Sequence, residues 1–437
     1  MNSFLNKVLL IAAIIVSVLI YNKLTIYFNN VNDFDAGYNI ELSVQQMLQD
    51  VSQLKKLIQN NHPLYKSDPS AINKIFNDIE TSINGNKSLS EFSRILATNI
   101  AKMNDGHTCV ELVNGNLTLP IITKNINNEY FSLTKFKTIK AGDRIISIGG
   151  TPLDSIYQSY SEQISSENEY WKRESFEHYF IDIGRIIELG GKTTFFGDIK
   201  IKFESNGQTY KTYVQKKELI TEQYNRDIRN KILYGDSENN SGNGVRLEFC
   251  ESNSYARLIL RNCEYTSYYS MKVDELFKGV NGKGIRNIIL DLRGNQGGTT
   301  QVIDYFKTRL DAFNRYLSRK NEENVYFVVL VDNCTFSGGA HFAGVMKYDY
   351  EAILIGQPTG DSLYGYGNIK VGQLNNSTLY YSVSSTKFNG YGDISVYSDS
   401  IYPDIITNYK PLDYVLNNDV DLSIAEKIIL IREELKK

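Results

Sequence analysis

From residue 245 onward, short uninterrupted apolar runs alternate with segments of helical length, and no other feature constrains this chain as strongly. Residues 245–250 and 255–260 read as a hairpin, 266–280 as a helix, 287–292 as a buried strand and 299–310 as a helix. Residues 326–331 follow as a second buried strand, 337–346 as a helix and 352–355 as a further strand. Such alternation predicts an α/β core whose active groups sit at strand-to-helix turns.

The chain before residue 245 has two other textures. Leu42, Met47, Val51, Leu54 and Ile58 recur at helical spacing, as do Ile72, Ile75, Phe76, Ile79 and Ile83, and Ser88 with Glu91 forms a capping box that opens a third helix. Short β-like runs then appear at 119–122, 130–133, 198–204 and 208–215, interrupted by a helical insertion at 153–190. A polar stretch at 220–244 marks a boundary. The division expected is 1–30 as anchor and start of a tether, 31–115 as a helical domain, 116–220 as a β domain and 245–437 as the α/β core. With 437 residues the chain has room for all of them.

Residues 8–21 are apolar except for Ser17. The run is shorter than the ~20 residues that span a bilayer comfortably, and its flanks lack the small-residue pattern of a cleavage site. We read an uncleaved signal anchor, with a cleaved signal peptide as the alternative. Lys7 places the short N-terminal side in the cytoplasm and the remainder on the exported, periplasmic or extracellular, side. The 47 basic and 50 acidic residues are spread without blocks, so no footprint for nucleic acid is visible. Cys109, Cys250, Cys263 and Cys334 lack zinc-site spacing, no nucleotide loop occurs, and no metal or cofactor is expected.

Two strand-to-helix turns carry chemistry. In the first, Asp291-Leu292-Arg293-Gly294-Asn295-Gln296-Gly297-Gly298, glycines free backbone N–H groups to point into a cavity. In the second, Thr335-Phe336-Ser337-Gly338-Gly339, a serine opens a helix. Alone, that serine reads as an N-cap. Beside the Gly338 N–H and a second N–H from the Gly297/Gly298 turn it becomes a nucleophile next to an oxyanion hole.

A serine nucleophile needs a base, and the chain has four histidines. His62 precedes a proline at a helix end and reads as structural. His178 lies in the polar insertion and reads as part of a solvated face. His341 shares a helix face with Ser337 and suits a place behind the site. His107, in the turn Asp105-Gly106-His107-Thr108, is the base expected.

The ordered set Asp105–Thr108, Gly142–Gly149, Asp291–Gly298, Thr335–Gly339, Ile355–Gly360 and Pro403–Ile405 resembles the C-terminal processing and tricorn-core (S41-like) serine peptidases. The stretch from Gly142 to Gly149 resembles the strand and turn of PDZ domains, which bind peptide ends by strand addition. The resemblance implies a multidomain α/β protein with a ClpP/crotonase-like catalytic core, an N-terminal helical domain and a PDZ-like β domain. It also implies endopeptidase activity on polypeptides, often near a C-terminus. The stretch after Thr359 has no lysine, so the chain resembles the histidine-using branch. There an acid orients the histidine from just before Pro-Asp-Ile; the nearest acid here is Asp399 and the next Asp393. The alternatives are a catalytically silent peptide-binding protein on a degenerate core and a non-peptidase hydrolase or acyl-CoA enzyme on the same core.

Overall fold

In this computed structural model, the residues described are 40–112, 117–179, 186–187, 189–194, 197–235, 244–390 and 398–436. The apolar run at 8–21, most of the tether, residues 236–243 of the polar stretch at 220–244 and Asp393 lie outside them. No described helix is long and apolar enough to cross a membrane.

Helices α1 (Val44–Asn61), α2 (Pro69–Ser82) and α3 (Leu89–Ile100) form where the spacing predicts them, and Ser43 and Ser88 close capping boxes at α1 and α3. Their apolar faces, including Met47, Leu54, Phe76 and Phe92, share one core. After α3 the chain turns through residues 101–108 into strand β1 (Cys109–Glu111).

Strands β2 (Thr123–Ile126), β3 (Glu129–Ser132), β4 (Arg144–Ile148), β5 (Ile199–Ser205) and β6 (Gln208–Val214) form an antiparallel sheet in the order β6-β5-β4-β3-β2. The strand expected at 119–122 instead begins at Thr123. Leu119 and Ile121 are buried, yet they enter the core from a connecting segment. The insertion contributes α4 (Leu153–Ser161) and α5 (Glu169–Tyr179).

His178 at the end of α5 is not on a solvated face, and this corrects the sequence reading. Its Nδ1 lies 2.9 Å from the carbonyl of Glu174, whose carboxylate pairs with Lys124 at 2.8 Å and with Arg229 at 3.1 Å. Arg229, on α6 (Glu222–Tyr234), also pairs with Glu177. Burial, with the Arg229 charge adding to it, moves the His178 imidazole down to about 4. Polar residues in this helix are buried because cations from β2 and α6 neutralise them.

Beyond residue 244 the expected core forms. Strands β7 (Val245–Cys250), β8 (Tyr255–Leu260), β9 (Asn287–Asp291), β10 (Tyr326–Val331) and β11 (Ile353–Gly356) lie in that order, β7 antiparallel and the others parallel. Every residue of β8 and β9 is buried. Helices α7 (Ser267–Lys283), α8 (Gln301–Arg319) and α9 (Gly338–Asp349) share one core with the sheet. A hairpin absent from the sequence reading follows, β12 (Tyr364–Gln373) and β13 (Tyr380–Asn389), and short β14 (Ile405–Ile406) completes the large sheet beside β11. Helix α10 (Val420–Leu435) packs Ala425 and Ile429 with Ile289, Val328 and Leu330 in a separate cluster.

Two tethers position the site. β13 pairs with β1 through Tyr380–Glu111, Tyr381–Val110 and Ser382–Cys109. The buried Asp50 carboxylate of α1 accepts the N–H groups of Asn376 and Ser377 in the hairpin turn. The helical domain thus holds the hairpin, and the hairpin holds the strand after His107.

An unfolded histidine takes up a proton near pH 6.5, whereas folded His178 does so only near 4. Between these values the unfolded state binds more protons, so stability rises with pH across the window and is lost on acidification. The expected loss through His178 between pH 7 and 5 is about 2 kcal/mol. Urea unfolding of wild type and His178→Asn at both pH values checks this. The variant should lose less stability than wild type, and equal losses would show that His178 does not carry the effect.

Candidate active site

Ser337 sits at the junction of β10 and α9 with φ 50° and ψ −125°. A non-glycine residue in the positive-φ region is strained, and such strain persists only where the surroundings enforce it. They do so here. The Ser337 N–H donates to Asp361 Oδ2 at 3.0 Å, the Phe336 N–H to the Asn295 carbonyl at 2.9 Å, and the His341 N–H to the Ser337 carbonyl at 2.9 Å. The Ser337 hydroxyl does not cap its own helix. The N-cap reading is therefore excluded, and the side chain is left for the cavity it lines.

The first glycine turn packs directly against this junction. Thr335 Oγ1 donates to the Leu292 carbonyl at 3.0 Å, and Asn295 Oδ1 accepts the Gly297 N–H at 2.9 Å. Gly297 has φ 101°, and a Cβ there would lie 2.6 Å from Ser337 Cβ and 2.7 Å from the Gly338 nitrogen. Only glycine allows that approach. Among the described residues neither the Gly298 nor the Gly338 N–H donates a hydrogen bond. The sites of the two N–H groups are close, since a Cβ on Gly338 would lie 3.1 Å from the Gly298 nitrogen. This pair of donors is what an oxyanion requires.

Behind the turn, Asp291 is fully buried among Arg257, Arg261 and Arg293. Burial alone would raise its carboxyl, but the three guanidinium groups hold it well below the usual range. Arg293 continues to Asp419 at 2.7 Å and Asp421 at 3.0 Å, fixing the turn to the start of α10.

His107 lines the same cavity of about 600 Å³ as Ser337, Gly298 and Gly338. Its carbonyl accepts the Ser382 hydroxyl of β13 at 2.6 Å, and the Ser384 N–H donates to Thr108 Oγ1 at 3.0 Å, so the strand pairing reaches the histidine itself. The imidazole packs on Phe336 with ring centroids 4.6 Å apart, and Phe336 stacks on Trp171 of the insertion at 4.1 Å. Both ring nitrogens are buried and, among the described residues, make no hydrogen bond to Ser337 or to any other group.

Three carboxylates surround this imidazole. Asp105 Oδ1 lies 3.8 Å from His107 Nδ1. Asp105 Oδ2 accepts Thr108 Oγ1 at 2.6 Å and is 2.8 Å from His62 Nε2. Because His62 Nδ1 accepts the Leu64 N–H at 3.1 Å, the His62 proton must be on Nε2, donating to Asp105. Burial would raise the Asp105 carboxyl, but the His62 hydrogen bond and the His107 charge outweigh it and lower it. Glu167, from the insertion, accepts the Gly106 N–H at 2.9 Å, while its Oε2 is shielded from solvent and has no partner among the described residues. Burial, then the charges of Asp361 and Asp105, push Glu167 well up. Burial likewise raises Asp361, against the pull of His107.

Of the residues singled out in the sequence, Ser337, His107, Gly297, Gly298 and Gly338 come together. Asp399 does not join them. Its carboxylate accepts the Tyr402 hydroxyl at 3.3 Å, its carbonyl accepts Asn168 Nδ2 at 2.6 Å, and it does not line the cavity. His341 lines the cavity from α9, its imidazole lowered by burial and by Lys307. Glu167 and Asp361 escaped the sequence reading, and His62, read as structural, bonds the Asp105 carboxylate beside the site. The Asp-Gly-His turn already contained Asp105, but nothing local marked it as buried.

Residues 263–407 match the model of peptidase family S41. The fold is similar to that of mature CPAF, with a TM-score of 0.60 at 12% identity over 90% of this chain and 98% of that one. It is also similar to mature CPAF complexed with lactacystin, with a TM-score of 0.62 at 13% identity over 90% of this chain and 99% of that one. No curated protein matches the sequence.

If Gly297 is required for the close approach to Ser337, Gly297→Ala should cut kcat/KM by about 100-fold or more, the scale of losing one oxyanion donor. Peptide hydrolysis measured alongside circular dichroism checks this; a folded Gly297→Ala variant with wild-type turnover would show that the turn does not shape the site.

Proposed function

We propose that this chain, an S41-like serine peptidase, hydrolyses internal peptide bonds of polypeptides with Ser337 as nucleophile and His107 as general base. The observation that carries the reading is the strained Ser337 backbone, which withholds the hydroxyl from its helix and leaves it in the cavity that His107 lines. Strain of this kind, at a strand-to-helix turn, is the means by which a nucleophilic serine is exposed.

The chemistry follows from the positions. His107 takes the Ser337 proton as Oγ attacks the scissile carbonyl, the developing oxyanion meets the Gly298 and Gly338 N–H groups, and the imidazolium returns its proton to the leaving amine. Water then repeats the sequence on the acyl-enzyme. Asp105 is the orienting acid, held ionised by His62 and Thr108 and facing Nδ1, so that Nε2 is left for Ser337. A shift of the imidazole brings its nitrogens into hydrogen-bond range, as in catalytic sites that tighten only with substrate bound. Asp399, expected from the resemblance, takes no part in this scheme.

The cavity walls are largely apolar, with Phe336, Leu363, Ile369 and Phe388, and among the described residues no lysine or arginine lines them. A terminal carboxylate would find no cation there, which supports cleavage within a chain over trimming at its end. The core corresponds in this reading to a ClpP/crotonase-like unit, and the sheet β2–β6 to a PDZ-like domain that holds an extended peptide. The apolar run at 8–21 is the sequence's reason for tethering the peptidase to a membrane with its catalytic part on the exported side. The unmade hydrogen bond at His107 favours a second reading, a catalytically silent peptide binder.

A fluorophosphonate probe separates the two. Labelling of wild type that is lost in Ser337→Ala supports the peptidase, whereas an inert wild type supports the binder. His107→Ala should lower kcat/KM about 10³–10⁴-fold, Asp105→Asn by about 10²-fold or more, and His341→Ala little. Loss in His341→Ala with retention in His107→Ala would reassign the base.

A further inference from the structure

We infer that Asp105, His107 and Glu167 form a binding site for one Zn²⁺ ion, whose occupancy switches the peptidase off. The switching part rests on His107 being the base; the binding part does not. One ligand atom from each of the three residues lies within 4.8 Å of the others. Both His107 nitrogens and Glu167 Oε2 are shielded from solvent and, among the described residues, have no hydrogen-bond partner. Buried polar atoms are normally satisfied, and an unpartnered set converging on one point calls for an ion or water.

The charge count points the same way. Among the described residues, no lysine or arginine pairs with Asp105, Glu167 or Asp361, so no fixed cation competes with an ion for these ligands. A second grouping, Glu174, His178 and Cys334, has comparable spacing but the opposite electrostatics. There Lys124 and Arg229 already neutralise Glu174, and Gln296 donates to Cys334 Sγ at 3.4 Å. An ion entering that cluster would meet two fixed cations.

The donor set selects the ion. One imidazole nitrogen and carboxylate oxygens in a small enclosure suit tetrahedral zinc, at about 2.0–2.2 Å from each ligand, whereas calcium takes six to eight oxygens and magnesium near-ideal octahedral oxygen. Closing the three groups around zinc needs inward movement of about 1 Å. A fourth position stays open to water. Zinc on Nδ1, the nitrogen that faces Asp105, holds the imidazole proton on Nε2, so no lone pair is left to take the Ser337 proton and hydrolysis stops without any change at the nucleophile.

Calorimetric titration of Zn²⁺ into the full chain carrying Ser337→Ala reads binding independently of turnover. The expected result is one ion per chain, with affinity lowered at least 10-fold by adding Glu167→Gln and likewise by adding His107→Ala, and unchanged by adding Cys334→Ser. His107→Ala serves where Glu167→Gln does not fold. In wild type, Zn²⁺ should suppress peptide hydrolysis and a chelator should restore it. No binding at millimolar Zn²⁺, or binding lost only with Cys334→Ser, would overturn the site. Stoichiometric binding without loss of hydrolysis would overturn the switch. A wild type inert to fluorophosphonate that still binds zinc through Glu167 and His107 would remove the peptidase reading while leaving the site intact.

Discussion

Three residue pairs between β1 and β13 decide whether His107 and Ser337 share one cavity. Without the pairing of Cys109–Glu111 with Tyr380–Ser382, His107 belongs to the end of a helical domain and Ser337 to a distant α/β core. A short antiparallel ladder has little independent stability, so the contact depends on what supports it. Asp50 fastens the hairpin turn, the helical core extends onto Leu374, Leu379 and Val383 of the hairpin segment, and Ser382 and Ser384 reach back to His107 and Thr108. The helical domain is in this sense a brace for the histidine.

Electrostatics then sets what the assembled groups do. The imidazole lies among Asp105, Asp361 and Glu167, with Asp105 Oδ1 3.8 Å from Nδ1. Each carboxylate also has a backbone duty: Asp361 accepts the strained Ser337 N–H, Glu167 the Gly106 N–H, and Asp105 the His107 N–H. The same atoms that hold the loops in place therefore also surround the His107 imidazole. Trp171, which lines the cavity, and Glu167, which accepts the Gly106 N–H, come from the insertion of the β domain, so the surroundings of His107 are built from more than one part of the chain.

Much of the core was legible because its physics is local. Every position of β9 and nearly every one of β10 is buried, and such strands announce themselves as apolar runs; glycines at 297, 298, 338 and 339 mark turns where backbone is approached closely. The hairpin β12–β13 was not legible, because most of β12 is exposed or half-exposed and its residues show no alternation. Long-range pairing also hid the acids. Asp361 and Glu167 lie in ordinary polar loops, and their burial depends on segments far away in sequence. The resemblance directed attention to Asp399, while Asp105 stood two residues from the histidine. His178 was misread for a related reason: its helix is rich in charge, and the neutralising Lys124 and Arg229 lie outside it.

The most direct measurement is a crystal structure of the full chain after covalent reaction of Ser337 with a phosphonate. The phosphonyl oxygen should lie about 2.7–3.1 Å from both the Gly298 and Gly338 nitrogens, with a ring nitrogen of His107 in hydrogen-bond range of the bonded Oγ and Asp105 on the other ring nitrogen. A phosphonyl oxygen directed away from both amides, or an imidazole that stays out of reach of the modified serine, would contradict the assignment of these residues to one catalytic site.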